Sequence, residues 1–204
     1  MKKILTVVAI VSCMTIMEAN AFDWSSVVNF LSKASEPQTE QTALATISDV
    51  EKQMAAIDNS AQTAFVDIVS KLSSWRETRN IKSQLKSSST NISDVMSNYI
   101  NEYFNSNKET ITNKIKKMSA KDKTALVNNI NTLVESGQKY MTLAANGAKT
   151  AANAFKTAQT INEAATTAAN VNRVAAELRK RATTAINFAN NVKSLAKTAG
   201  VSVN

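Results

Sequence analysis

Residues 41–75 read QTALATISDVEKQMAAIDNSAQTAFVDIVSKLSSW. Apolar side chains fall at Ile47, Val50, Met54, Ile57, Ala61, Phe65, Ile68, Leu72 and Trp75. Their steps are 3, 4, 3, 4, 4, 3, 4 and 3, which places them in one stripe along an α-helix. The doubled step of four around Ala61 is a stutter, which locally unwinds a supercoil. Neither Gly nor Pro occurs from Gln41 to Lys86. The spacing predicts one helix over that span, roughly 65–70 Å long, with Trp75 on its apolar seam. Ser87-Ser88-Ser89-Thr90-Asn91 then reads as a break, because these side chains compete for backbone hydrogen bonds and favour caps.

Downstream, Ile92, Val95, Met96, Tyr99, Ile100, Tyr103 and Phe104 form the most amphipathic stripe in the chain. They predict a short helix with the aromatics in the core. Ser106-x-x-Glu109 and Ser119-x-x-Asp122 have the form of capping boxes and mark helix starts or kinks. From Leu126 a seven-residue repeat runs through Leu133, Tyr140, Gly147, Ala154, Ile161, Ala168, Ala175, Ala182, Ala189 and Ala196 to Val203. Its partner row lies four residues on as far as Ala165, and three residues on from Ala164 through Val171, Leu178, Ala185 and Val192 to Ala199. The change coincides with Thr160-x-x-Glu163, so a break or a supercoil irregularity is expected near 160. Asn146-Gly147 is the other expected break, since both residues tolerate a left-handed backbone. Small seam residues let helix axes approach closely but bury little area each, so such a seam must be long.

Composition narrows the chemistry. The 204 residues include 3 Gly, 1 Pro, 1 Cys and no His. Without His there is no Ser-His-Asp triad and no imidazole metal site. One Cys excludes an intrachain disulfide and a Cys-rich zinc site. The carboxylates are scattered, and Asp49 and Glu51 point to different helix faces. No catalytic, cofactor-binding or metal-ligating residue is assigned, no small-molecule substrate is inferred, and the chain is read as not an enzyme.

The N-terminus has the form of an export signal. Lys2 and Lys3 precede an apolar run from Ile4 to Val11, and Ala19-Asn20-Ala21 is an A-x-A site. Cleavage there makes residues 1–21 a leader and Phe22 the first mature residue. The competing reading is Ile10-Val11-Ser12-Cys13 as a lipobox with an acylated Cys13, followed by an apolar Met14-Thr15-Ile16-Met17 where a polar tether is usual. Residues 22–40 are then expected to hold a short amphipathic helix, with Trp24, Val27, Val28 and Leu31 on one face, and a polar connector around Pro37. Residues 41–204 form the remaining domain. The expected location is the periplasm or the exterior of a bacterial cell.

Charge is uneven along the chain. Its 24 basic and 16 acidic residues give a net +8. Residues 22–104 carry −3 and residues 105–204 carry +10. Such asymmetry fits either an anionic partner for the basic half or mutual attraction of two packed halves. The basic residues singled out as an anionic-partner surface are Lys114, Lys117 and Lys121 on one helix face, and Arg179, Lys180 and Arg181 in a second cluster. The bland counterpart is a solvated face opposite a core face, which most surface helices show.

Together these features predict an all-α fold: an elongated helical bundle or coiled-coil-like hairpin of long helices with shorter helices packed alongside. The expected function is a non-enzymatic structural or interaction protein of the bacterial envelope or exterior, with an unidentified protein or a second copy as partner. The alternative is a cationic, membrane-active helical protein that binds anionic polymers or lipid.

Overall fold

The computed structural model describes residues 40–86, 91–157 and 161–203, and within them the side chains of 49–86, 91–146 and 169–203. The leader, Cys13, residues 22–39, residues 87–90, residues 158–160 and residue 204 lie outside the described residues. The described chain is all-helical, with no strand among the described residues.

Helix α1 spans Glu40–Leu72 and α2 Trp75–Lys86. Helix α3 spans Ile92–Asn98 and leads into a π-helical stretch, Tyr99–Phe104, and a 3-10 turn, Asn105–Asn107. Helix α4 spans Lys108–Lys117, α5 Ala120–Thr157 and α6 Ile161–Thr198. The three long helices pack side by side. Asp58, Asp67 and Lys71 of α1 meet Tyr140, Asn129 and Asp122 of α5, so these two run antiparallel. Leu126 to Leu133 of α5 share a core with Phe188 to Ala196 of α6, while Tyr140 to Ala144 share one with Val174 to Ala182. These two are therefore antiparallel as well.

The larger core cluster is more aromatic than the seams suggest. Phe65, Tyr99, Phe104 and Phe188 are buried and meet edge-on or tilted, with centroids 5.1–6.3 Å apart. Such pairs add about 0.5–1.5 kcal/mol each beyond their buried area. Tyr99 and Phe104 lie in the core as expected, and Tyr103 stacks on Tyr99 at 5.5 Å. Phe188 lies on neither heptad row read from the sequence. It widens the α6 stripe enough to bring α1, the π-helical stretch and α6 into one cluster.

The structure corrects four expectations. The single helix over 41–86 is two helices, broken at Ser73-Ser74. Ser74 caps α2: its Oγ accepts from Glu77 N at 3.2 Å, and its carbonyl accepts from Thr78 N at 3.0 Å. The cap competes with continuation of α1. Trp75, expected on the seam, opens the new helix and is 74 % exposed. Ser106 does not cap α4. Asn107 holds the boundary position, with its Nδ2 donating to Tyr103 O at 2.8 Å and its backbone outside the helical region at φ −120° and ψ 18°, so a helix start does fall here without the Ser106 cap. Asn146-Gly147 is no break, since α5 runs through it; neither residue is forced out of the helix by its tolerance for another conformation.

Other boundaries fall where the sequence places them. Ser119 caps α5, accepting from Asp122 N at 3.1 Å and donating to Asp122 Oδ2 at 2.7 Å. Asn91 caps α3, accepting from Ser93 N at 3.0 Å. The change of row near 160 coincides with the boundary between α5 and α6. On α6, Leu178, Ala182, Ala185, Ala189, Val192, Ala196 and then Val203 are buried as the two rows require.

Candidate functional site

The six basic residues singled out from the sequence differ in exposure and in partners. Lys114 is half-buried, and its Nζ donates to the Ser73 carbonyl at 2.9 Å. It thus satisfies a carbonyl at the end of α1 that helix geometry leaves without an intrahelical donor. Lys117 and Lys121 are exposed. Arg179 is half-buried. Lys180 pairs with Asp94 at 2.6 Å, and that hydrogen bond raises its ammonium pKa above the ordinary lysine value.

Arg181 is largely buried, its side chain only 11 % exposed. The guanidinium forms ion pairs with Asp58 of α1 and, through Nε at 3.0 Å, with Glu177 one turn earlier on α6. Burial opposes its charge, but the hydrogen bonds and charges of the two carboxylates outweigh burial and hold its pKa above the usual value. The Tyr140 hydroxyl donates to Asp58 Oδ1 at 2.5 Å. Burial pushes that phenol well above the ordinary range, and the Asp58 carboxylate adds to the shift. Asn91 Nδ2 donates to Glu177, while Asn91 Oδ1 accepts from the cap at Ser93.

One polar network therefore links Tyr140 of α5, Asp58 of α1, Arg181 and Glu177 of α6, and the residue that caps α3. It lies where the two core clusters meet: Ile57 packs against the smaller and Ala61 belongs to the larger. No buried side-chain nitrogen or oxygen among the described residues lacks a partner. Fully satisfied networks of this kind fix helix register, whereas half-satisfied ones destabilise.

A second polar pair closes the α1–α2 corner. Ser73 Oγ and Tyr99 Oη lie 2.6 Å apart, both buried. Burial raises the Tyr99 phenol well above its ordinary range, and the bond with Ser73 offsets only part of that. Near the start of α5, the hydrogen bond from Ser119 and the bond and charge of Lys71 hold the Asp122 carboxyl below its usual value.

Sequence reasoning passed over Asp58, Tyr140 and Asn91 as a group, because they are 33 to 82 positions apart and share no local spacing. The one available signal was Asp58 beside the stutter at Ala61. The charge asymmetry between halves also takes physical form. Glu51, Asp58 and Asp94 from the acidic half pair with Arg173, Arg181 and Lys180 from the basic half.

A groove of about 460 Å³ lies between α3, the π-helical stretch and α6. Ser97, Ile100, Asn101, Thr184, Asn187, Asn190 and Asn191 line it. Apart from Ile100 these are amides and hydroxyls, with no ionisable side chain to act as acid or base. No group of three or more His, Cys, Asp or Glu among the described residues is arranged to hold a metal ion. No described helix is long and apolar enough to cross a membrane. No family model matches the chain, nor does any curated protein or solved structure.

Proposed function

We propose that the chain is a non-enzymatic structural or interaction protein of the bacterial envelope or exterior, an elongated helical bundle that engages a protein partner or a second copy through its long helical surfaces. The observation that carries this reading is the Asp58–Arg181–Glu177 network with Tyr140 and Asn91. Strongly perturbed groups often mark catalytic sites. Here Arg181, Tyr140 and Tyr99 each bond a structural neighbour on another helix or segment. Their polar capacity is spent on holding helices in register, which suits a rigid scaffold. Export is supported by the Lys2-Lys3 n-region, the apolar run and the Ala19-Asn20-Ala21 site.

The second reading is a cationic binder of anionic polymers or lipid. It draws support from Lys117 and Lys121, both exposed. Salt separates the two. The chain, immobilised and exposed to envelope extract of its own cells, should retain a stoichiometric protein partner through a high-salt wash. Retention that collapses with salt would replace the first reading with the second.

A further inference from the structure

Helix α2 turns one face outward. Thr78 and Ile81 are buried and Leu85 packs on the core. Trp75, Arg79, Lys82 and Lys86 recur at i, i+4, i+7 and i+11, which is a single helix face, and Arg76 flanks it. All five are exposed. The Arg79 guanidinium lies 5.3 Å from the centroid of the Trp75 ring. Arg76, Lys82 and Lys86 make no ion pair among the described residues. Glu77 is the one acid on the helix, against four bases. The Lys114–Ser73 bond brings the basic helix α4 to the corner where α2 begins.

We infer that this face of α2 docks on an anionic lipid surface, with Trp75 seated at the headgroup level and Arg76, Arg79, Lys82 and Lys86 on lipid phosphates. Charge complementarity argues for an anionic partner, since none of the four cations forms an ion pair among the described residues. The aromatic chooses among anionic partners. Single-stranded nucleic acid is tracked by successive stacking platforms, and α2 offers one indole, at its end. An indole is apolar on its faces and polar at its N–H, which suits the headgroup level of a membrane, and a basic row beside it suits anionic lipid. The row spans about 16 Å along the helix, enough to meet several headgroups at once. Each cation near such a surface adds a comparable, salt-sensitive increment. The inference deepens the second reading, on which it rests, and a protein partner for the long helices neither requires nor forbids it.

The chain holds two tryptophans, Trp24 and Trp75. In the full chain carrying Trp24→Phe, Trp75 is the only indole reporter. Its emission should shift to the blue with phosphatidylglycerol-containing vesicles and not with pure phosphatidylcholine vesicles, and high salt should reverse the shift. Changing Arg76, Arg79, Lys82 and Lys86 together to Gln should weaken binding at least about tenfold, with far-UV circular dichroism confirming an intact helical fold. Should that variant fail to fold, Trp75→Ser read by vesicle flotation provides the same test and should weaken binding. Vesicle binding that leaves Trp75 emission unchanged would overturn the inference, as would equal binding to neutral vesicles. So would quenching of Trp75 by an oligonucleotide in a chain indifferent to vesicles.

Discussion

The Arg181 guanidinium on α6 is ion-paired with the Asp58 carboxylate on α1, 123 positions away in the chain. Each has a second partner: Arg181 holds Glu177 and Asp58 holds Tyr140. A cation at the edge of a basic triplet thus becomes the junction of three long helices. Its burial separates it from Lys180 next to it, which is about half exposed and pairs with Asp94. Partly buried charge is costly unless well bonded, and these bonds offset that cost.

Lys114 and Lys117 should differ in their effect on folding. Lys114 Nζ satisfies the Ser73 carbonyl at the α1–α2 corner, while Lys117 is exposed. Lys114→Gln should lower unfolding free energy by about 1 kcal/mol, the size of a typical hydrogen bond. Lys117→Gln should leave the urea midpoint in place. Equal effects would show that the Ser73 contact contributes nothing.

Gly137 marks the close approach of α5 and α6. A Cβ at this position would sit 2.5 Å from Ile186 Cγ1, 2.9 Å from Ile186 Cδ1 and 3.3 Å from the Ala182 carbonyl oxygen. Gly137→Ala gains up to about 1 kcal/mol of helix propensity, but overpacking costs about 1–3 kcal/mol. Destabilisation should therefore result. In an Ile186→Ala background only the 3.3 Å approach to the Ala182 carbonyl remains, so the same change should cost much less. Thermal unfolding of the four species reads the difference, and its absence would mean that the helix crossing relaxes freely.

Stability should fall at high pH because of Tyr99 and Tyr140. Burial raises both phenols in the folded chain above their unfolded value. A group with a raised folded pKa contributes stability in full below the unfolded value and loses it as pH rises towards the folded one. The loss should begin near pH 10, at up to about 1.4 kcal/mol per pH unit for each tyrosine. Tyr140→Phe should flatten this alkaline limb, followed by denaturant unfolding at successive pH values. An unchanged limb would show that Tyr140 ionises as freely folded as unfolded.

The helical class was legible because burial follows the apolar period: Ala61, Phe65, Ile68 and Leu72 are buried at the steps read from residues 41–75. Trp75 shows the limit of that signal. It continues the spacing by one step, yet Ser74 caps a new helix and turns the indole outward. Ser74-x-x-Glu77 was the local cue, and the apolar period masked it. Asn146-Gly147 failed in the opposite direction, since a tolerance for turning is not a requirement to turn. The π-helical stretch at Tyr99–Phe104 had no cue in the 3-1-3-1 pattern, which an α-helix satisfies equally well. The Asp58–Arg181 junction depends on how three helices align, and residue spacing along one helix does not encode that.

A double-mutant cycle tests whether this junction holds the helices together. Asp58→Asn, Arg181→Met and the two combined would be compared by urea unfolding. Arg181→Met leaves Asp58 and Glu177 without their cation, so it should cost about 3 kcal/mol, and Asp58→Asn about half of that. The double variant should cost less than the sum, with a coupling of at least about 1 kcal/mol. Additive effects, or single changes that leave stability where it was, would contradict the assignment of these groups to the scaffold.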